Sequence, residues 1–147
     1  MTGFNVKENM FHKPPMLLVD EILEESQSKG KTSYEIKPGD IFVGDGGIFA
    51  RAALIEIAAQ SFAAVDKFQK MKKNIDSSRG FLASVKNFEF FDDAKAGDEI
   101  ICDIEKVDEI SRLHIVKAEL SASGKKIAAG EFRIFEFTEL IKAGSEK

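Results

Sequence analysis

Apolar residues concentrate in one long stretch of the chain, residues 49–69, which interrupts a pattern of shorter apolar runs separated by turn residues. Between Arg51 and Asp66 lie fourteen residues, and eleven of them are aliphatic, aromatic or alanine. Ala, Leu and Ile predominate, so the stretch predicts a helix, and apolar side chains occur all round it, so we expect protein on every side. The stretch is too short and too interrupted by polar groups for a membrane span, which needs about 20 predominantly apolar residues.

The shorter apolar runs predict β-strands on both sides of this helix. Residues 5–10 predict one helical turn, and residues 17–25 and 31–37 predict a first hairpin, although the charges in 17–25 leave a helix possible. After the helix we predict a meander of four strands, at residues 80–91, 98–106, 113–121 and 126–138. Ile100, Cys102 and Ile104 alternate onto one face, and residues 123–125 predict a tight hairpin turn. This order predicts an α+β fold in which a curved antiparallel sheet wraps one helix.

Composition and charge narrow the class of protein. The chain has 147 residues, which fit a single domain with residues 1–11 and 143–147 at its periphery. Thirteen Phe against no Trp and one Tyr indicate a large apolar interior or tunnel, and a net charge of −4 gives no support to nucleic-acid binding. Cys102 is the one cysteine, so no intrachain disulfide forms, and residues 1–10 lack the features of a signal peptide. We therefore expect a cytoplasmic protein with neither a metal nor a cofactor.

Glu56 is the candidate catalytic group because it lies in the middle of the apolar helix. Gln60 follows four residues later, on the same face, so its amide can hydrogen-bond and orient the carboxylate. A carboxylate in such a setting must be paired, neutralised or next to a solvated cavity, and desolvation raises its pKa, which suits a general acid. The alternative is a structural carboxylate that meets an Arg across a subunit interface or reaches water at a helix edge.

Three stretches resemble the 3-hydroxyacyl-[acyl carrier protein] dehydratases. Residues 12–20, HKPPMLLVD, resemble the N-terminal motif of that family, and residues 53–60, ALIEIAAQ, resemble its central helix. Residues 80–100, with Ala-Gly-Asp at 96–98, resemble its third strand and turn. The resemblance runs from about His12 to Phe135 and implies the hot-dog fold, in which an antiparallel sheet surrounds a helical sausage.

The loop before the helix departs from that family. The dehydratases carry a catalytic His there, in a Gly-His-Phe-Pro-Gly segment, whereas residues 43–48 read VGDGGI and contain no His. This loop is similar to that of a divergent, dehydratase-like branch found with polyene-type and other fatty-acid-like synthesis systems. The resemblance implies fold and substrate class more strongly than it implies a reaction.

The resemblance implies roles for several residues, beginning with the acid and the base. Glu56 would act on the substrate hydroxyl with Gln60 orienting it, and Asp45 or His12 would act as the base. Asp45 has a second interpretation, as part of a turn and helix cap, and His12 a second one, as a residue that shapes the tunnel mouth. The other histidine, His114, is expected on a strand surface.

Glycines complete the predicted substrate contacts. Gly46 and Gly47 would let a thioester carbonyl approach main-chain N–H groups at the positive end of the helix. Gly80, at the start of the stretch that resembles the third strand, is also expected to contact the substrate. The basic run after the helix is either a solvated helix end or a landing patch for an acidic carrier protein; its members are Lys67, Lys70, Lys72, Lys73 and Arg79.

The favoured function is reversible dehydration of a 3-hydroxyacyl thioester carried on acyl carrier protein or coenzyme A. A thioesterase is the enzymatic alternative, because the same carboxylate can activate water. A catalytically silent, acyl-carrier-binding partner subunit is the alternative from another class, because the loop histidine is missing. We expect a homodimer or larger assembly, since a lone curved sheet leaves edge strands exposed.

Overall fold

The computed structural model describes residues 3–75 and 78–138. A short helix, α1 (Val6–Asn9), precedes a hairpin, and a long helix, α2 (Arg51–Lys72), follows it. A 3-10 turn at Asp45–Gly47 leads into α2. The strands are β1 (Glu21–Glu25), β2 (Lys29–Glu35), β3 (Ser78–Phe90), β4 (Glu99–Ile110), β5 (Leu113–Ala122) and β6 (Lys125–Thr138). The element order therefore confirms the predicted two strands, long helix and four strands.

All six strands form one antiparallel sheet in the order β1-β2-β4-β5-β6-β3. The predicted four-strand meander is wrong at its first strand, because β3 pairs with β6 and not with β4. Strand β4 lies between β2 and β5, so both of its edges are used and β3 takes the free edge of β6. A curved antiparallel sheet around one long helix is the hot-dog architecture.

The first predicted strand is shorter than expected. Leu17, Leu18 and Val19 are buried, but the strand begins at Glu21. The Leu18 N–H donates to the side chain of Gln60 on α2 at 2.7 Å, so this segment bonds to the helix and not to a neighbouring strand. Its apolar side chains therefore join the core without joining the sheet.

Helix α2 packs one side closely on the sheet. A Cβ placed on Gly30 in β2 would lie 2.6 Å from Val65 Cγ2, so the missing side chain permits this approach. The expectation that α2 is buried all round is wrong, because Ala52 and Ala63 are exposed and Glu56 is half-buried. A single sheet covers only one side of the cylinder, and the remaining face borders a cavity.

The alternation in the second half of the chain is confirmed. Ile100, Cys102 and Ile104 are all buried on the inner face of β4. Ser123 and Gly124 join β5 to β6 with φ values of 54° and 77°, which suit a two-residue hairpin. The predicted peripheral tail, residues 143–147, lies outside the described residues. Within the described residues, none of the helices has the length and hydropathy that a membrane span requires.

Candidate functional site

A cavity of about 510 Å³ lies between the uncovered face of α2, residues 9–12 and strands β3, β5 and β6. His12, Glu56, Gln60 and Gly80 all line it, so the fold brings together four of the residues predicted from sequence. A second groove, of about 810 Å³, crosses the sheet and is lined mainly by charged side chains; it contains none of the predicted site residues. These four predicted site residues therefore share the cavity beside α2 and not the charged groove.

Gln60 holds Glu56 in place through a buried hydrogen-bond network. Its amide Nε2 donates to Glu56 Oε2 at 3.1 Å, as the four-residue spacing predicts, and to the carbonyl oxygen of Met16 at 2.9 Å. Its Oε1 accepts from the N–H of Leu18 at 2.7 Å. Because Gln60 is 1% exposed and both of its amide atoms are hydrogen-bonded, it fixes the position of the carboxylate.

His12 faces the same carboxylate. Its Nε2 lies 3.6 Å from Glu56 Oε2, and the two side chains are 33% and 36% exposed. Its Nδ1 is buried and makes no hydrogen bond within the described residues. Nε2 is therefore the nitrogen available to the cavity, and it is the one near the carboxylate. This separation is longer than a hydrogen bond, so a small movement of either side chain, or a water molecule that contacts both, is needed to pass a proton between the imidazole and the carboxyl group.

The glycine loop before α2 lies apart from this cavity. Asp45 is exposed and, with Gly46 and Gly47, forms the 3-10 turn without lining the cavity. The Gly47 N–H donates to the Gly44 carbonyl at 3.1 Å, so this amide is used within the turn. A catalytic role for Asp45 or an amide of this loop would require a second subunit to present its own loop to the cavity.

Gly80 leaves room beside the cavity wall because it has no side chain. It lies on β3 opposite Glu136 of β6, and a Cβ added to it would lie 2.6 Å from Ile134 Cγ2. A larger residue would push the Ile134 side chain aside and change the cavity shape.

A second polar group in the cavity was missed by the sequence analysis. The prediction that His114 lies on the strand surface is wrong: it is 3% exposed, and its Nε2 lies 2.7 Å from Glu136 Oε1. Glu136 Oε2 bonds to Lys70 Nζ, which lies 2.8 Å from Asp66 Oδ2. His114 and Val116 lie two residues apart on β5, so both face the inner side of the sheet. This alternation is the sequence feature that predicts a buried His114.

The charges in this second group are paired, because Lys70 lies between Asp66 and Glu136. Burial disfavours the charged ammonium of Lys70, but its bonds to Asp66 and Glu136 outweigh burial and raise the Lys70 pKa. Lys70 is therefore a paired cation inside the cavity.

The basic run lies partly within the last turns of α2, and it is not one open patch. Lys70 points into the cavity, and Lys72 Nζ pairs with Glu25 Oε1 at 2.6 Å. The Arg79 guanidinium lies 3.9 Å from the centre of the Phe11 ring, in a cation–π contact at the cavity wall. Within the described residues, no three His, Cys, Asp or Glu side chains are grouped to hold a metal ion.

Solved structures share this fold. The chain is similar to a chain of the dehydratase heterocomplex ApeI:P from Xenorhabdus doucetiae, with a TM-score of 0.85, 16% identity, and coverage of 95% of this chain and 97% of that one. It is similar to the TT0310 protein from Thermus thermophilus, with a TM-score of 0.61, 16% identity, and coverage of 78% and 89%. It is also similar to a hypothetical thioesterase from Streptococcus pneumoniae, solved with coenzyme A, with a TM-score of 0.64, 12% identity, and coverage of 80% and 88%. At these identities the likeness shows the hot-dog fold.

A family model gives the more specific result. Comparison with curated proteins gives no match. The model for ApeP-like proteins, described as ApeP dehydratase, matches residues 4–143, which include the His12 motif, the Glu56 helix and every strand of the sheet. The chain therefore belongs to the ApeP-like dehydratase family.

Proposed function

We propose that this protein catalyses the reversible dehydration of a 3-hydroxyacyl thioester to the 2-enoyl thioester. The observation that carries the proposal is the His12 to Glu56 pair, 3.6 Å apart and facing one cavity. Family membership supports the reaction class. The pair supplies the two groups that dehydration requires, a base for the proton on C2 and an acid for the hydroxyl on C3.

Each group has a defined task. His12 Nε2 takes the proton from C2, which the thioester carbonyl makes acidic, and the released electron pair forms the C2–C3 double bond. The C3–O bond breaks, and the protonated carboxyl of Glu56 donates its proton to the hydroxyl, which leaves as water. The extra proton then returns from His12 to Glu56 across the gap between them. Gln60 holds Glu56 in place during these steps through the bonds described above.

The cavity wall supports an acyl substrate. Between its polar groups it is lined by apolar side chains that include Phe62, Leu82 and Ile134, which suit an acyl chain. We propose that the thioester is carried on acyl carrier protein or coenzyme A; a structural relative was solved with coenzyme A. The buried free thiol of Cys102 favours the reducing cytoplasm as the compartment.

An assay of product chemistry tests the proposal. The purified chain is incubated with 3-hydroxyacyl thioesters on both carriers, and mass spectrometry follows loss of water while a thiol reagent follows hydrolysis. Dehydration conserves the thioester, so we expect water loss without thiol release. Release of free thiol without an enoyl product would instead establish the thioesterase alternative.

The His12 assignment needs its own variant. His12→Asn keeps a polar side chain but removes the titrating nitrogen, and we expect turnover to fall about 10²- to 10⁴-fold. The exposed residue Asp45 is the comparison: we expect Asp45→Asn to retain activity within about tenfold, and a larger loss would show that a second subunit brings this loop to the cavity.

We also propose that two hot-dog chains pair through β3. This 13-residue strand is the last in the sheet and pairs with β6 along one edge, and Phe81, Leu82 and Val85 on it are exposed. Such an edge favours pairing with another strand. We expect light scattering to give the mass of a homodimer. A monomer at micromolar concentration would contradict this and favour a dissimilar partner chain, since one structural relative was solved as a heterocomplex.

A further inference from the structure

The cavity has a second, charged end far from the His12 to Glu56 pair. Asp66, Lys70, His114 and Glu136, which we call the end cluster, all line the cavity and bond to one another in sequence. Asp66 lies ten residues after Glu56 on α2, which corresponds to about 15 Å along the helix axis. Asp66 and Lys70 are therefore too distant along α2 to take part in chemistry at the Glu56 carboxylate.

Apolar side chains separate the two polar ends. Ala59 and Ala63 line the cavity from α2, while Phe81, Leu82 and Ile134 line it from β3 and β6. Along α2 the lining thus runs from the polar Glu56 and Gln60, past Ala59 and Ala63, to the charged Asp66, Lys67 and Lys70. A methyl-terminated acyl chain matches the middle section but not the far end.

A methyl group at the far end is unfavourable because the charged side chains of the end cluster are partly solvated. The side chains of Lys70, Glu136 and Asp66 are 18%, 20% and 25% exposed, so each keeps part of its contact with solvent in the cavity. A methyl group pressed against them would displace water and offer no hydrogen bond in return. Removing a hydrogen-bond partner from a charged group is costly, whereas a terminal hydroxyl would replace the lost water.

We propose that the end cluster is a specificity-determining wall that rejects methyl-terminated acyl chains long enough to reach it. The proposal rests on the proposed function, because it assigns the cavity to an acyl chain. An extended chain rises about 1.2 Å per bond, so about 12 bonds beyond C3 span the 15 Å of helix between Glu56 and Asp66. Chains of about eight carbons end within the apolar section, and chains of about sixteen carbons reach the cluster.

Binding measurements test the proposal without depending on catalysis. The probes are 3-hydroxyacyl pantetheine analogues with an amide in place of the thioester, and calorimetry with the 147-residue chain gives Kd. Three probes are compared: one of about eight carbons, one of about sixteen carbons ending in methyl, and one of the same length ending in a hydroxyl. The last two differ only at the terminus, so their comparison separates chain length from polarity.

We expect the long methyl-terminated probe to bind at least about tenfold more weakly than the short one, and the terminal hydroxyl to recover at least about fivefold. A triple variant makes the wall apolar and should remove this discrimination. Its substitutions are Asp66→Ala, Lys70→Met and Glu136→Leu. Removing Asp66, Lys70 and Glu136 together leaves none of these three charges unpaired, and His114 is the one member of the end cluster that loses its partner. Lys70→Arg keeps the charge and should keep the discrimination.

Two results would overturn the proposal: affinity that rises continuously with methyl-terminated length, or equal affinity of the two long probes for the wild-type chain. The wild-type comparison decides the matter even where the triple variant fails to fold. Binding of the short probe tests the substrate class separately. Absence of binding by all three probes would overturn both the acyl assignment and the inference.

Discussion

Replacing Gln60 with Met should destabilise the protein far more than the same change elsewhere on α2. Gln60 is 1% exposed and connects the helix to the segment before β1 through the N–H of Leu18 and the carbonyl of Met16. Met has a similar length and fills the same volume, but it can form neither of these bonds. The change therefore isolates the loss of hydrogen bonding.

The magnitude follows from the groups left behind. The N–H of Leu18, a residue that is 0% exposed, would lose its acceptor inside the core, whereas Met16 is 47% exposed, so water can replace the donor that its carbonyl loses. A buried group left unpaired costs about 1–3 kcal/mol, so we expect Gln60→Met to lower the free energy of unfolding by about 1–3 kcal/mol. The carboxylate of Glu56 would also lose its positioning bond, so turnover should fall even in the folded fraction.

Gln69 provides the matched control on the same helix. Its Nε2 donates to Glu25 Oε2 at 3.0 Å and to the carbonyl of Ser26, at a half-buried position near the helix end. Water can replace these partners, so Gln69→Met should cost less than about 1 kcal/mol. Both variants are compared by urea unfolding monitored by circular dichroism. Equal losses in the two variants would refute the role given to buried hydrogen bonds at Gln60.

Three further predictions concern reactivity, packing and pH. Burial raises the pKa of the Cys102 thiol to about 12, so a thiol reagent at neutral pH should label it only on unfolding, and rapid native labelling would contradict its burial. Gly30→Ala should lower the free energy of unfolding by about 1–3 kcal/mol, because the added methyl meets Val65, and unfolding titrations that show no loss would contradict the close packing. The hydrogen bond from Lys72 holds the Glu25 pKa below its usual value. The pairing therefore stabilises the protein above the pKa that Glu25 has in the unfolded chain, and this stabilisation is lost as pH falls through the lower pKa of Glu25 in the folded protein. We expect Lys72→Met to flatten the decline in stability below about pH 5. An unchanged pH profile would contradict the pairing.

Features that depend on local spacing could be predicted from the sequence. The composition between Arg51 and Asp66 fixes a helix, and the four-residue separation places Gln60 against Glu56 whatever surrounds them. Alternation along β4 likewise determines which side chains face inward. Each of these depends on periodicity within one element.

Features that depend on how distant elements meet could not be predicted. The place of β3 beside β6 follows from β4 having both edges occupied, which no local pattern records. The end cluster combines Asp66 and Lys70 of α2 with His114 of β5 and Glu136 of β6, and their approach depends on strand register. The turn between β5 and β6 sets the register of these two strands, but no local pattern records how the pair meets α2.

The most direct test of the central claim is the rate of water loss from a 3-hydroxyacyl thioester by the wild-type chain and by Glu56→Gln. The amide of the introduced Gln keeps the shape of the Glu56 carboxyl group and a hydrogen-bonding oxygen. It cannot donate the proton that the leaving hydroxyl needs. Glu99→Gln makes the same chemical change at an exposed position on β4, outside the cavity and away from the β3 edge, and should keep full turnover. We predict that Glu56→Gln loses at least about 100-fold in kcat while its melting temperature stays close to that of the wild type. Full turnover by Glu56→Gln would contradict the assignment of this cavity as a dehydratase site.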